Sequence, residues 1–327
     1  MKDSAVKNMI VNLRALLTIN IRKRLNESAQ HIQLLEEQLS YLDDTITNRY
    51  HYLNVLDYYA SHESDAPQYQ KELDYLRQAG RFCNFPYETQ EDNIAIKTGF
   101  DQNVRMPYVI HKNKRLFFHE KYSEIGAKET YRNYIFVEKL LGKDDIDGAP
   151  HQYQSPRVQV ADGDVVFDIG AAEGLFALDH IDKASHVVIV ESDPKWFKPL
   201  KQTFAPYSNK VTIIQKFVTA TDTETTISLA SLLSSIDYSS AFVKMDIEGY
   251  ELRSISSIES ILRQKKCTKI AVASYHKQHD AEELKTLFDS WGLLSEFSQG
   301  YMLFHLYDTP APPYFRHGII RGRYTKP

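Results

Sequence analysis

Three short stretches of the 327-residue chain concentrate charged and small side chains directly after apolar runs. The first is Asp168-Ile169-Gly170-Ala171-Ala172-Glu173-Gly174, which follows Val165-Val166-Phe167. Its glycines and alanines let a ligand approach the backbone closely and let a helix start tightly. The stretch is not G-x-G-x-x-G, because Ala172 stands two positions after Gly170, so it suits a pyrophosphate-binding dinucleotide fold poorly. Its two carboxylates would repel a phosphate and suit a ligand with cationic groups.

The second stretch, Glu191-Ser192-Asp193-Pro194, ends the apolar run His186–Val190. An acidic residue at the end of a second strand is placed to accept hydrogen bonds from two vicinal ribose hydroxyls, in NAD and S-adenosylmethionine binders alike. Combined with the acidic first loop, it favours S-adenosylmethionine, which has a zwitterionic amino-acid end and no phosphate. Each acid alone is also typical of a helix N-cap or first turn.

The third stretch, Lys244-Met245-Asp246-Ile247-Glu248-Gly249-Tyr250-Glu251, ends the apolar run that begins at Ala241. Charged side chains buried there without partners would cost several kcal/mol, so we expect them to face one another, a ligand or a crevice. An ion pair of Lys244 with Asp246 or with Glu248 is the purely structural alternative.

His276 follows a fifth apolar run directly, in Ser274-Tyr275-His276. A hydroxyl is a weak nucleophile, and His276, Asp246 and Glu248 are the candidates for a general base that takes its proton. A histidine here can also be structural. His276 and His279 lie three residues apart, but without an H-E-x-x-H motif or nearby cysteines we expect no metal site.

Alternation of short apolar runs with helix-length amphipathic segments predicts a doubly wound, Rossmann-like α/β sheet from residue 150 onward. In such sheets ligands bind beyond the carboxyl ends of the strands, where all three stretches would lie. We expect a helical region over 1–80, an α+β connector or lid with a hairpin over 81–149, the α/β domain over 150–310 and a basic C-terminal tail over 311–327.

Apolar residues repeat every seven positions near the N-terminus. Ile32, Leu39, Ile46 and Leu53 form one column, and Leu35, Leu42 and Leu56 form the second, which Arg49 interrupts. The pattern predicts a coiled coil or a helical hairpin, and we expect a homo-oligomer formed through these helices. Removing residues 1–60 should then change the assembly state.

Composition excludes several classes of protein. With 39 basic and 43 acidic residues and a net charge of -4, the chain is no strongly basic nucleic-acid binder. Two cysteines cannot make a disulfide-dense fold, and no apolar run approaches the roughly 18–20 residues of a membrane helix. We therefore expect a cytoplasmic protein with no nucleic-acid partner and no stable membrane insertion.

In order and spacing, the three stretches resemble the FkbM-type S-adenosylmethionine-dependent methyltransferases, over roughly residues 150–306. The first loop is shared by many class I methyltransferases, whereas K-x-D-I-E-G-x-E is more specific to this family. The family usually has alanine where Tyr250 stands, and its usual Leu-Asp pair is missing from Ile227-Ser228-Leu229-Ala230.

The resemblance implies a seven-stranded methyltransferase sheet and O-methylation of a hydroxyl on a sugar, glycan or small natural product by in-line methyl transfer. The implied cofactor-binding residues are Asp168, Gly170, Ala171, Glu173, Gly174, Glu191, Ser192 and Asp246. Asp168 and the loop 170–174 would hold the methionine end and Glu191 the ribose, while Asp246, Glu248 and His276 would line the acceptor side. Two alternatives stay open: a nicotinamide-dependent oxidoreductase, and a catalytically silent scaffold that binds a nucleoside.

Overall fold

The computed structural model describes residues 45–87, 95–139, 149–265, 267–304 and 310–324, with scattered positions between 23 and 43. The first part of the predicted helical region, residues 1–22, and residues 88–94 and 140–148 of the predicted connector lie outside the described residues. Residues 45–61 form helix α1, and a short 3₁₀ turn, Pro67–Tyr69, leads into α2 (Gln70–Ala79). The chain thus turns at the polar stretch after residue 61, because no apolar period continues there.

The segment after the helices is a three-stranded antiparallel sheet followed by a helix. Its strands are β1 (Thr98–Asp101), β2 (Met106–His111) and β3 (Lys114–Phe117), and α3 spans Glu124–Lys139. Lys112 and Asn113 join β2 to β3 with φ values of 45° and 66°. Two adjacent positive φ values give the turn that matches the twist of a tight hairpin, so the predicted hairpin is confirmed.

A seven-stranded sheet forms the largest layer of the molecule. The remaining strands are β4 (Val165–Ile169), β5 (His186–Val190), β6 (Val211–Ile214), β7 (Phe217–Thr219), β8 (Thr226–Ser228), β9 (Ala241–Met245), β10 (Thr268–Ala273), β11 (Leu294–Phe297), β12 (Met302–Leu303), β13 (Phe315–Arg316) and β14 (Ile319–Arg323). The order in the large sheet is β11-β14-β10-β9-β4-β5-β6. Strand β14 pairs antiparallel with both β10 and β11, and the other neighbours are parallel.

The chain leaves β4 toward β5 and β6 on one side, then returns to β9 on the other. The carboxyl ends of β4 and β9 therefore flank the point where strand order reverses, which is the ligand-binding position of open α/β sheets. The helices that follow the strands are α4 (Leu175–His180), α5 (Pro194–Phe204), α6 (Leu229–Ser234), α7 (Glu251–Ile255), α8 (Glu259–Gln264) and α9 (Asp280–Ser290). The doubly wound sheet expected from the sequence is confirmed.

Two apolar layers cover the two faces of the sheet. Val166 packs with Leu178 and Trp196 on one face, while Phe167 packs with Leu232 and others on the opposite face. Adjacent residues of β4 point to opposite faces, and both faces are buried, which explains the continuous apolar runs in the sequence. Among the described residues, no helix has the length and apolar character needed to cross a membrane.

The expectation of a basic C-terminal tail over 311–327 is wrong for the described residues up to 324, which include the strands β13 and β14. Ile319 and Ile320 are fully buried in β14, between β10 and β11. The buried Arg321 donates from Nε to the Gln152 carbonyl at 3.1 Å, with Glu296 3.5 Å from Nη1. In the sequence, arginines interrupt the apolar run of this strand. The groups that pair with them when they are buried come from distant segments, so the sequence does not predict the burial.

A third apolar cluster joins the N-terminal helices to the C-terminal segment. One face of α1, formed by Tyr52, Val55 and Tyr59, packs against α2 and against Leu303 and Phe315 of the ribbon β12–β13. The run Tyr301–Phe304 therefore belongs to this ribbon and does not extend the large sheet.

Candidate active site

A cavity of about 670 Å³ opens at the carboxyl ends of the parallel strands. Its wall combines the loops after β4, β5 and β9 with side chains from the N-terminal region and from the ribbon. The lining residues that bear on the chemistry are Asn84, Phe85, His151, Tyr153, Gly170, Ala171, Ala172, Glu173, Glu191, Ser192, Phe217, Lys244, Asp246, Glu248, Tyr250, Tyr275 and Phe304. The three sequence stretches thus meet in one cavity.

The loop after β4 passes very close to the segment that follows β9. Gly170 has φ +72°, and a Cβ at this position would lie 1.7 Å from the Asp246 carbonyl oxygen. No residue with a side chain fits there, which explains the glycine. Ala172 also has a positive φ, 47°, and such strain persists where surrounding contacts fix the backbone. The loop therefore presents its backbone to the cavity.

Asp168 lies behind this loop and is fully buried. Its Oδ2 accepts a hydrogen bond from the Ala177 N–H at 3.0 Å, and its Oδ1 is 3.2 Å from Lys244 Nζ. Lys244 also donates to the Gly170 carbonyl. The ion pair joins register neighbours on β4 and β9 and differs from both pairs considered from the sequence. Asp168 fixes the shape of the loop, and its direct contact with a methionine end stays a prediction.

Glu191 ties the loop after β4 to the loop after β5. Its Oε2 accepts from the Ala172 N–H and its Oε1 from the Asp193 N–H, both at 2.7 Å. Asp193, not Glu191, caps helix α5, accepting from the Lys195 N–H at 2.9 Å. A carboxylate has about four acceptor positions, so Glu191 retains capacity for ligand hydroxyls. Ser192 follows it on the cavity wall.

Asp246 is the centre of a hydrogen-bond network on the opposite wall. Its Oδ2 accepts from the Tyr153 hydroxyl at 2.6 Å, from His151 Nε2 at 3.2 Å and from the Tyr275 hydroxyl at 3.2 Å. These donors converge on one carboxylate whose side chain is only 14% exposed. The arrangement fixes the carboxylate and the His151 ring relative to each other.

Electrostatics keep Asp246 ionised. Burial opposes the charged form, but the hydrogen bond from His151 and the positive charges of His276 and Lys244 outweigh it and hold the pKa of Asp246 well below its usual range. Burial, together with the Asp246 charge, raises the pKa of the Tyr275 hydroxyl well above its usual value. Tyr275 therefore stays protonated and donates a hydrogen bond to the carboxylate.

His276 lies behind Asp246 and is 1% exposed. Its Nδ1 is 3.0 Å from Glu251 Oε1, and its Nε2 is 3.4 Å from Asp246 Oδ1 and 3.5 Å from Glu248 Oε2. Burial opposes its charged form, yet these carboxylates raise the pKa of His276 to about 9. A protonated imidazole cannot accept a proton, so in this structure His276 is a counter-ion of Asp246.

Three side chains, His276 among them, lie close enough together to hold a metal ion. Ligand atoms of Asp246, Glu251 and His276 lie within 4.8 Å of one another. A ligating imidazole must be neutral, so a metal ion would have to displace the proton that the three carboxylates hold on His276.

Glu248 stands at the cavity mouth, with φ 61° and a side chain that is 66% exposed. Tyr250 lies beside it on the wall and is also exposed, with Lys277 Nζ 5.9 Å from its ring centroid. The position where the resembling family has alanine thus contributes an aromatic ring to the rim.

His151 and Tyr153 were not expected from the sequence. They belong to the segment before β4, and His151 is 95 residues from its partner Asp246. His151 is buried, and its Nδ1 has no hydrogen-bond partner among the described residues. No motif marks this segment, which reads in the sequence as a connector containing Gly148, Pro150 and Pro156.

No family model and no curated protein matches the chain. Among solved structures, it is similar to precorrin-6y C5,15-methyltransferase from Geobacter metallireducens, at 13% identity over 52% of this chain and 84% of that chain, with a TM-score of 0.37. It is also similar to the METTL16 methyltransferase domain, at 14% identity over 51% of this chain and 62% of that chain, with a TM-score of 0.36. A SAM-dependent O-methyltransferase from Thermotoga maritima matches at 15% identity over 52% of this chain and 63% of that chain, with a TM-score of 0.34.

Six strands of the large sheet run parallel and β14 alone runs opposite, next to the edge strand β11. The chain has a Rossmann-like α/β fold built on a seven-stranded, doubly wound sheet. This confirms the fold class expected from the sequence.

Proposed function

We propose that this protein transfers a methyl group from S-adenosylmethionine to a hydroxyl of a sugar, glycan or small natural product. The observation that carries the proposal is one cavity with two different walls. The loop 170–174 and Glu191 form one wall, and the ionised Asp246 with its donors forms the other. The K-x-D-I-E-G-x-E stretch, which supplies Asp246, supports kinship with the FkbM type.

The first wall suits S-adenosylmethionine better than a dinucleotide. The backbone of the loop is exposed to a ligand because Gly170 admits no side chain. Glu191 would accept the two ribose hydroxyls, and Glu173, also on the wall, disfavours a diphosphate nearby. Phe217 exposes its ring at the same cavity and would pack against the adenine.

The second wall suits the acceptor hydroxyl. We assign His151 the neutral tautomer that has its hydrogen on Nε2, which makes the hydrogen bond to the Asp246 carboxylate and leaves a lone pair on Nδ1. We assign Nδ1 as the base that takes the hydroxyl proton. S-adenosylmethionine, when bound, would supply an activated methyl group to which the acceptor oxygen would bond as the carbon–sulfur bond breaks in line. Alignment of the two reactants supplies much of the rate.

The chemistry of the acceptor end favours a neutral polyhydroxylated molecule. Phe85, Tyr250 and Phe304 offer apolar ring faces, and aromatic faces pack well on the C–H side of a sugar ring. Asp246 and Glu248 provide negative charge at the same place, which disfavours phosphate groups and other anions.

Calorimetric titration with S-adenosylhomocysteine and, separately, with NAD tests the cofactor. We expect micromolar binding of the first and none of the second. Glu191→Gln should weaken S-adenosylhomocysteine binding at least about tenfold, because it removes a charged acceptor from the ribose. Glu282→Gln, an exposed acid outside the cavity, is the matched control and should bind normally. Binding of NAD alone would favour an oxidoreductase and overturn the proposal.

The acceptor is tested with isotope-labelled methyl-S-adenosylmethionine against panels of glycans, hydroxylated small molecules, peptides and RNA. We expect label in a neutral hydroxylated compound, as a methyl ether that survives mild alkali, whereas a methyl ester would not. Label in RNA or in an alkali-labile ester would contradict the acceptor class while leaving methyl transfer intact. Tight S-adenosylhomocysteine binding with no transfer to any panel would favour the silent scaffold.

A further inference from the structure

The N-terminal helix, whose later part is α1, exposes an unusual amount of apolar surface. Among the described residues, twelve large apolar side chains are exposed, and six of them lie on one helical stripe. These six are Ile32, Leu35, Leu39, Leu42, Ile46 and Leu53, all helical and 42–67% exposed. Such a stripe on a water-exposed helix costs free energy unless another surface covers it.

Spacing identifies the kind of surface that fits. The six residues occupy the a and d positions of successive heptads: Ile32, Leu39, Ile46 and Leu53 at a, and Leu35 and Leu42 at d. A seam with this repeat packs its side chains into the spaces of an identical seam, so it is self-complementary. Isoleucine at a with leucine at d favours two parallel strands over higher assemblies.

Charges beside the seam set its direction. In a parallel pair each g position faces the following e position of the partner, which places His31 opposite Glu36 and Gln38 opposite Asp43. Neither contact joins like charges. An antiparallel pair would bring the acidic e positions, Glu36 and Asp43, toward each other, and like charges at close range repel.

Contacts within the chain show where the free seam ends. At the next d position, Arg49 donates to the Gly80 carbonyl at 3.2 Å, and its guanidinium lies 4.9 Å from the Tyr52 ring centroid. Leu56, at the d position after that, packs against the cluster of α1 and α2. The helix therefore docks on its own body from Arg49 onward, and the stretch before it presents its seam to solvent.

We propose that a second copy of this chain covers the stripe, forming a parallel two-stranded coiled coil from Ile32 to Ile46. The partner is another copy because the seam is self-complementary and a parallel pair brings no like charges together beside it. The dimer is independent of the proposed catalytic function.

Sedimentation and light scattering of the full chain test the assembly. We expect a dimer, and the double variant Leu39→Glu/Ile46→Glu, which places four carboxylates in the seam of the pair, should be monomeric. Thr47→Glu adds one carboxylate per chain at heptad position b, outside the seam, and should remain dimeric. Circular dichroism verifies that each variant is folded. A monomeric, trimeric or tetrameric wild type, or a dimeric double variant, would overturn the proposal.

Cysteine cross-linking tests the direction. In a Cys83→Ser/Cys267→Ser background, Ile32→Cys and Ile46→Cys are made separately and mildly oxidised. In a parallel pair each a position faces the same residue of the partner. Each variant should therefore form covalent dimers by itself, without the other variant being present. If cross-links form only in a mixture of the two variants, or do not form, parallel pairing is wrong.

Discussion

Asp246 keeps its charge in a nearly enclosed position because hydroxyl and imidazole donors face it from one side and the His276 cation faces it from the other. His276 is in turn charged because three carboxylates surround it. The two groups therefore stabilise each other, and removal of one leaves the other buried with less compensating charge, which is destabilising.

His276 should make stability depend on pH. Its pKa rises from 6.5 to about 9 on folding, so its contribution is complete below pH 6.5 and is lost as pH rises through about 9. The difference corresponds to about 3 kcal/mol. We expect the stability advantage of the wild type over His276→Gln to shrink by that order across this range, measured by urea unfolding. The exposed His279→Gln should track the wild type at every pH; identical pH profiles for all three proteins would contradict the pKa shift.

His151 should act on the chemical step and not on cofactor binding. Replacement of a general base typically costs 10²–10⁴-fold in rate. We expect His151→Ala to lose about 10²-fold or more in kcat, to bind S-adenosylhomocysteine within about twofold of wild type, and to regain activity with added imidazole. If His151→Ala loses kcat to the same extent but is not rescued by imidazole, His151 only positions Asp246.

Some residues of the candidate site could be predicted from the sequence, and others could not. Glu191 and Asp246 are recognisable because each directly follows an apolar strand, and Glu248 comes two residues after Asp246; the structure places all three on the cavity wall. His151 and Tyr153 reach Asp246 only through tertiary folding from a segment with no pattern of its own. The charge of His276 depends on neighbours that no local spacing reveals.

Among the elements, strands that are mostly apolar were predictable, whereas β14, with two arginines in five residues, was not. β4, β5, β9 and β10 are buried on both faces and appear in the sequence as runs of valine, isoleucine, phenylalanine and alanine. β14 contains two arginines and a glycine, and a Cβ on Gly322 would lie 2.8 Å from the Phe288 ring. Its place in the sheet depends on partners for Arg321 that the sequence does not identify.

The crossing of the β4 loop and the β9 segment can be tested with two glycines. Gly170→Ala combines a left-handed backbone with a clash against the Asp246 carbonyl, and we expect a loss of about 3 kcal/mol or more. Gly163→Ala has a comparable φ, +84°, but no atom within 4 Å of the added Cβ, so only about 1–2 kcal/mol should be lost. Chemical denaturation measures both. Equal losses would mean that the close approach of the two segments does not constrain the site.

At the scale of the whole molecule, the N-terminal helix contributes residues to two different surfaces. Its early part carries the exposed seam, whereas Tyr52, Val55 and Tyr59 belong to the buried cluster with α2 and the ribbon β12–β13. The ribbon also supplies Met302 to the cavity wall, and Phe304 follows directly after it. Assembly and the shape of the acceptor end therefore depend on different stretches of one helix.

Two truncations separate these roles. Removing residues 1–44 deletes most of the seam but leaves α1 whole, so we expect a monomer with the wild-type affinity for S-adenosylhomocysteine. Removing residues 1–60 also deletes three buried side chains worth roughly 1.5–3 kcal/mol each, so this form should be about 5 kcal/mol less stable than the shorter truncation or should fail to fold. Urea unfolding and light scattering of the two forms, side by side, measure both effects. Equal stability would show that the cluster contributes little, and a dimer after removal of residues 1–44 would locate the assembly surface elsewhere, because the remaining helix has only Ile46 and Leu53 of the seam exposed.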